Sequence, residues 1–253
     1  DDRPESVKAY ERRVSNDIIE EFMIVTNETV AEHFNKLEIP FVYRVHEKPK
    51  QEKIEQFLGF VRELGYDIRD EISVENLQYI LKQAEGKIEE EAVNLLLLQC
   101  MEQAKYLPDE LGHFGLGSSY YSHFTSPIRR YPDLQIHRII KDYLNGKINK
   151  VRIEQLRRKV TDSSRISSKR ERQAEKCENE YKNLKKAEFM EDKINNVFDG
   201  IITGISRFNC KVTLDNTIEG EVSLNKVNDE DFKVLREGCS LIGLTSNRKI
   251  KIG

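Results

Sequence analysis

The stretch HFTSPIRRYPDLQIHR, His123–Arg138, decides how the rest of the chain is read. It places hydroxyls, consecutive arginines, histidines and aromatic rings around what reads as a helix start, with Ser126 as N-cap and Pro127 at the first helical position. Such a start presents free backbone N–H groups and the positive end of a helix dipole, so Ser126 and the turn after it are placed to meet an anion. Arg129 and Arg130 add guanidinium forks that match phosphate oxygens in a way an ammonium does not. Tyr120, Tyr121, Phe124 and Tyr131 offer faces on which bases stack. The same residues have plainer uses: aromatics at this spacing also build cores, Asp133 is a ready partner for an arginine, and His113, His123 and His137 also serve as buried hydrogen-bonding residues.

Around this stretch the charge is uneven. The whole chain of 253 residues carries a net charge of −3, yet residues 115–176 hold 15 Lys and Arg against 6 Asp and Glu, a surplus of nine. Clustered positive charge on an otherwise acidic chain suits a polyanionic partner, although a salt-bridged helix has the same composition. With 34% charged and 38% hydrophobic residues the composition is that of a folded soluble protein of one large or two modest domains. No apolar run approaches the roughly 18 residues of a membrane span, and DDRPESVKAY has no signal-peptide pattern, so a cytoplasmic, membrane-free address is expected. Cys100, Cys177, Cys210 and Cys239 are scattered without a C-x-x-C pair, which predicts reduced thiols, no zinc and no disulfide-linked partner.

Working outward, apolar residues at three- to five-residue steps predict one helix over 6–37. A β-branched and aromatic strand over 39–49 follows, then helices around 50–65, 74–84 and 87–105, with the run Leu95–Leu98 deeply buried. Residues 112–126 contain three glycines, two histidines and four aromatics, and read as strand and loop with exposed groups. The helix from Pro127 should end at Asn145-Gly146. A long, mostly exposed helix spans 150–193, and from Asn196 the texture turns to five short strands of an incomplete Greek-key barrel packed around Phe198.

His123–Arg138 closely resembles the signature near the C-terminal end of the RNB catalytic domain of the ribonuclease II and ribonuclease R family, processive 3′-to-5′ exoribonucleases. IIEEFMIVTNETVAEHF (18–34), YRVHEKP (43–49) and GHFGLGSSYYSHFT (112–125) are similar to other stretches of that family in the same order, and the segment from Asn196 resembles the first strands of an S1-type OB-fold. The resemblance implies an α+β chain: a helix-rich C-terminal part of an RNB domain over 1–195, then a truncated S1-like RNA-binding OB-fold over 196–253. It implies magnesium-dependent hydrolysis of single-stranded RNA to nucleoside 5′-monophosphates by a monomer. The family's aspartate cluster, D-x-x-x-x-x-D-x-D-D, has no counterpart here, because Asp1-Asp2 and Asn228–Asp231 lack its spacing. Metal ligands are therefore expected upstream, no metal ligand is assigned within the chain, and the chain reads as an internal fragment that is inactive alone. The resemblance makes Arg129 the catalytic phosphate-binding arginine. It places Glu20 or Glu21 and Glu171 near the 3′-terminal nucleotide, and Ser126, Arg130, Tyr121 and Tyr131 join them as RNA-binding candidates on the residue chemistry given above. In the barrel the run Phe208-Asn209-Cys210-Lys211-Val212 departs from the family's Phe-Gly-x-Phe-Val, so one stacking platform is lost, while Phe208 remains to stack and Lys211 to reach a phosphate. The competing readings are a non-catalytic RNA-binding protein and a helical scaffold that binds protein.

Overall fold

The computed structural model describes residues 3–69, 73–87, 89–206, 208–224, 232–235, 240–243 and 249–251. Two compact units are built from non-contiguous segments, one from residues 11–50 and 101–179, the other from 1–10, 51–100 and 180–253. In the first, helix α1 (Val14–Lys36) leads to strand β1 (Tyr43–Val45), which pairs antiparallel with β2 (Lys105–Leu107). Helix α5 (Tyr131–Leu144) and helix α6 (Lys150–Met190, to residue 179 in this unit) complete it. The core gathers Phe34, Phe41, Val42, Val45, Ile136, Ile139, Leu156 and Val160. Alternation along β1 sends Tyr43 and Val45 into this core, 4% and 1% exposed, and turns Arg44 to the opposite face.

Several boundaries differ from those expected. α1 begins at Val14 rather than residue 6, and its buried residues are Asn27, Ala31 and Phe34, so of the expected stripe of Val14, Ile18, Phe22, Val25, Thr29 and Phe34 only Phe34 is buried. The strand expected over 39–49 is three residues long, and β2 stands where a helix was expected to end. Leu107 precedes a proline, and the ring of Pro108 disfavours helical backbone before it.

In the second unit α2 (Gln51–Glu63), α3 (Val74–Ala84) and α4 (Glu90–Cys100) bury Ile54, Val61, Ile80, Val93 and Leu97. Ser73 caps α3, its hydroxyl accepting from the Asn76 N–H at 3.2 Å. Of Leu95–Leu98 only Leu97 is buried and Leu98 is 70% exposed, because four consecutive helical residues point four ways. Strands β3 (Ile201–Ile205), β4 (Asn209–Thr213) and β5 (Glu219–Ser223) form one antiparallel sheet; β6 (Phe232–Leu235), β7 (Ser240–Gly243) and β8 (Lys249–Lys251) form another. Cys210 and Leu224 pack with Ile202, Ile205, Phe232 and Ile250. Six strands are described where five were expected, and among the described residues no ladder closes a barrel. Phe198 is 44% exposed and lies before β3, so it is not the barrel core residue expected.

Cys100, Cys177 and Cys210 are free thiols, while Cys239 and Asn228–Asp231 lie outside the described residues. No described helix is long and apolar enough to cross a membrane.

Candidate functional site

α5 does not start where the first proline suggests. Residues 127–129 form a turn in which the Arg129 and Arg130 N–H groups donate to the Ser126 carbonyl, at 3.4 and 3.1 Å, and the helix begins at Tyr131 with Pro132 in its first turn. Asp133, fully buried in that turn, reaches back. Its Oδ1 accepts the Ser126 N–H and the Arg130 Nη2, both at 2.8 Å. A carboxylate at a helix N-terminus is favoured by the dipole, and here it closes the loop onto the helix. Ser126 is therefore not the N-cap, and its N–H is spent on Asp133 rather than left for an anion.

The loop that results carries Ile128, fully exposed at its tip, and Arg129 beside it. Among the described residues the Arg129 guanidinium has neither an ion pair nor a hydrogen bond. It faces a cleft of about 510 Å³ lined also by Arg130, Tyr131, Tyr106, Ile166, Ser167, Arg170, Glu171 and Glu175. Tyr131 is 47% exposed, so one ring face is available. Three arginines, an accessible aromatic and the carboxylates Glu171, Glu175 and Glu178 in one concave site suit a nucleotide: phosphate to the guanidinia, base to the ring, sugar hydroxyls to a carboxylate.

The floor of the cleft is held from β1 and β2. Arg44 Nη1 donates to Glu171 Oε2 at 2.6 Å, and its guanidinium lies 4.7 Å from the centre of the Tyr106 ring. The Tyr106 hydroxyl sits 2.9 Å from His123 Nδ1 and 3.5 Å from Glu171 Oε1. Burial, then the charge of Glu171, pushes this phenol up to about 12, so it stays protonated. Burial, then Arg130 and Arg44, pushes His123 down to about 2, so it stays neutral. α6 is clipped to β2 one turn earlier: the Ser168 hydroxyl accepts the Tyr106 N–H at 2.8 Å and lies 3.3 Å from its carbonyl.

A second brace comes from α1. Asn27, 3% exposed, accepts the Phe124 N–H at Oδ1, 2.9 Å, and donates to the Tyr121 hydroxyl at 3.1 Å. The glycine-rich turn before it is a close approach: Gly115 donates its N–H to His46 Nδ1 at 2.8 Å, and a Cβ there would come within 2.8 Å of the same atom.

The expected site residues divide accordingly. Arg129, Arg130, Tyr131 and Glu171 line one cleft. Tyr121 is 7% exposed, its carbonyl accepting the Arg44 N–H, so burial removes it as a stacking surface. Glu20 is ion-paired with Arg12 and Glu21 is exposed on α1; neither lines the cleft. Phe208 and Lys211 belong to the other unit, Phe208 64% exposed and Lys211 paired with Glu219 at 2.6 Å. Arg44, Tyr106, Asn27 and Asp133 were not marked as site residues by the sequence. The available signals were an arginine alternating with apolar strand residues, and a polar residue on the α1 face shared with Ala31 and Phe34.

Comparison with known proteins places these features in a family. Residues 1–146 match the RNB domain model. The chain is 38% identical to ribonuclease R 1 of Lactococcus lactis over 99% of its own length and 31% of that protein, and 39% identical to ribonuclease R of Aquifex aeolicus over 99% and 36%. It thus spans about a third of the length of these curated relatives. Among solved structures, Mycoplasma genitalium RNase R in complex with ribose-methylated single-stranded RNA superposes with a TM-score of 0.90 at 28% identity, covering 99% of this chain and 40% of that one. The chain belongs to the RNB domain family.

Proposed function

We propose that this chain forms the RNA-gripping side of the catalytic channel in a ribonuclease R-like 3′-to-5′ exoribonuclease, which releases nucleoside 5′-monophosphates from single-stranded RNA. The observation that carries the reading is the Arg129 guanidinium, unpaired among the described residues, in a cleft with Arg130, Tyr131 and Glu171. Arg129 counters charge that builds on the phosphoryl oxygens during attack. Arg130, fixed by Asp133, supplies steady positive potential, Tyr131 stacks on a base, and Glu171 accepts from ribose hydroxyls. Residues 196–253 are assigned to an S1-like RNA-binding domain, in which Phe208 stacks and Lys211 exchanges Glu219 for a phosphate. The working enzyme is taken to be a cytoplasmic monomer.

Magnesium, which the resemblance implies, is not matched by the donors present: among the described residues no three His, Cys, Asp or Glu side chains are grouped to hold an ion. We assign its ligands to sequence outside these 253 residues, and the roles above run through the chain's own side chains.

The test is Arg129→Ala in a full-length enzyme containing this segment. Loss of one preorganised donor at a developing oxyanion costs about 10²- to 10³-fold in rate, whereas an idle surface arginine costs almost nothing. Turnover should fall by that factor with an unchanged melting temperature, and Arg129→Lys should rescue poorly, because an ammonium lacks the fork. Near-wild-type turnover removes Arg129 from the site. A full-length wild type that binds RNA without cleaving it favours a non-catalytic RNA-binding protein.

A further inference from the structure

We infer that Arg44 is the positioning residue for Glu171, holding that carboxylate at the cleft floor and keeping it off the arginines that bind phosphate. This rests on the reading of the cleft as an RNA site.

Arg44 is the middle residue of β1, opposite Tyr106 of β2, and its side chain alone of the three strand residues leaves the core face. Its backbone is pinned by the N–H bond to the Tyr121 carbonyl at 2.9 Å. The side chain is 14% exposed, far less than a solvated arginine, and ends in the 2.6 Å ion pair with Glu171 Oε2 over the Tyr106 ring. Burying a guanidinium this far is costly unless its charge is matched. For packing alone an apolar residue would serve as well, so the arginine answers a need of the carboxylate.

That need follows from the cleft's composition. Glu171 shares it with Arg129, Arg130 and Arg170, and with Glu175 and Glu178 further along α6, of which Glu175 accepts from Gln103 at 3.2 Å; Glu171 is the carboxylate beside Tyr106 that Arg44 reaches. An untethered glutamate there would swing to the nearest guanidinium and compete with the RNA phosphate for it. Arg44 prevents this in two ways: it neutralises the charge from behind, and its donor to Oε2, with the Tyr106 hydroxyl 3.5 Å from Oε1, fixes the plane of the carboxylate. Oε1 keeps lone pairs for a ribose hydroxyl. Lysine would match the charge but could not lie flat on Tyr106 while donating in the carboxylate plane.

A mere brace and a positioning residue predict different double mutants. In the full-length enzyme, KM and kcat on single-stranded RNA are measured with a thermal melt for Arg44→Ala, Glu171→Ala and the pair. Arg44→Ala should raise KM about tenfold, the scale of one lost charge-assisted contact, and change kcat less. Adding Glu171→Ala should then lower KM again, because the stray carboxylate is gone. Effects that multiply in the double mutant, or a wild-type KM in a cooperatively melting Arg44→Ala, overturn the inference. Should Arg44→Ala fail to melt cooperatively, Arg44→Lys carries the test: a raised KM reversed by Glu171→Ala supports the inference, and an unchanged KM overturns it. A wild type that neither binds nor cleaves RNA defeats the proposed function and takes this inference with it, whereas an active wild type with additive mutants defeats the inference alone.

Discussion

Asn27 ties α1 to the segment that leads into Arg129, with one amide serving a backbone N–H and a phenol. Asn27→Ala leaves the Phe124 N–H without its partner inside the fold, and an unmade buried bond costs about 1–3 kcal/mol. Urea unfolding should show a loss of that size, and a change under 0.5 kcal/mol would mean that water replaces the amide. His123 and His113 set a pH dependence at the same scale. Burial, then His46 and Arg44, holds His113 down to about 4, as burial, Arg130 and Arg44 hold His123 down to about 2. Both pKa values lie below the unfolded value of about 6.5, so the unfolded chain binds more protons than the folded one as pH falls. Their contribution is complete above about pH 6.5 and is lost on acidification, at up to about 1.4 kcal/mol per pH unit for each imidazole. Between pH 6.5 and 5, before most carboxylates titrate, unfolding free energy should fall with this slope, and His123→Gln should flatten it. An unchanged slope in that variant would place the titration elsewhere.

At the scale of elements, α6 shows what the sequence yields and what it hides. Its length and general exposure are legible from charge density and the absence of glycine and proline, as are α2 and α3 from their apolar spacing. Its buried stripe is not, because after Leu156 and Val160 it continues as Ser163, Ser164, Ser167 and Ser168, and serines on a charged helix read as surface. Here they are small residues that let α6 sit close, with Ser168 clipping β2 and Glu171 following three residues later. Ser164 gives a sharp test, being 1% exposed with a buried hydroxyl that has no hydrogen-bond partner among the described residues. Ser164→Ala removes an unpaired polar atom and should leave stability unchanged or slightly raised, whereas Ser164→Leu overfills a closed site and should cost about 1–3 kcal/mol. A destabilising alanine would show that the hydroxyl is satisfied in solution. The start of α5 was misplaced for a related reason: two prolines, Pro127 and Pro132, both suit a first turn, and only the buried Asp133 reaching back to Ser126 decides between them.

For the whole molecule, the charge surplus over 115–176 and the cleft it lines predict the behaviour of the isolated 253-residue chain. Arg129, Arg130 and Arg170 remain, with Tyr131 beside them, so the chain should bind single-stranded RNA. Affinity should fall with salt, at a log–log slope near −0.7 per phosphate neutralised, because each contact releases condensed cations. What was legible in the sequence is that Arg129, Arg130 and Tyr131 share one site, because they stand within three residues of one another around a helix start. The tethering of Glu171 by Arg44 was not legible, since it joins residues 127 positions apart. Hydrolysis is expected to be absent at any magnesium concentration. Attack on a phosphodiester by water needs ions to activate the nucleophile and balance charge, and no described group of carboxylates here holds one. Circular dichroism must first show a helical, cooperatively melting species, so that a negative result reports on chemistry rather than on unfolding. Given that control, mononucleotides released from the 3′ end of RNA by the purified chain would show that metal ligands lie within it and would overturn their assignment to sequence outside.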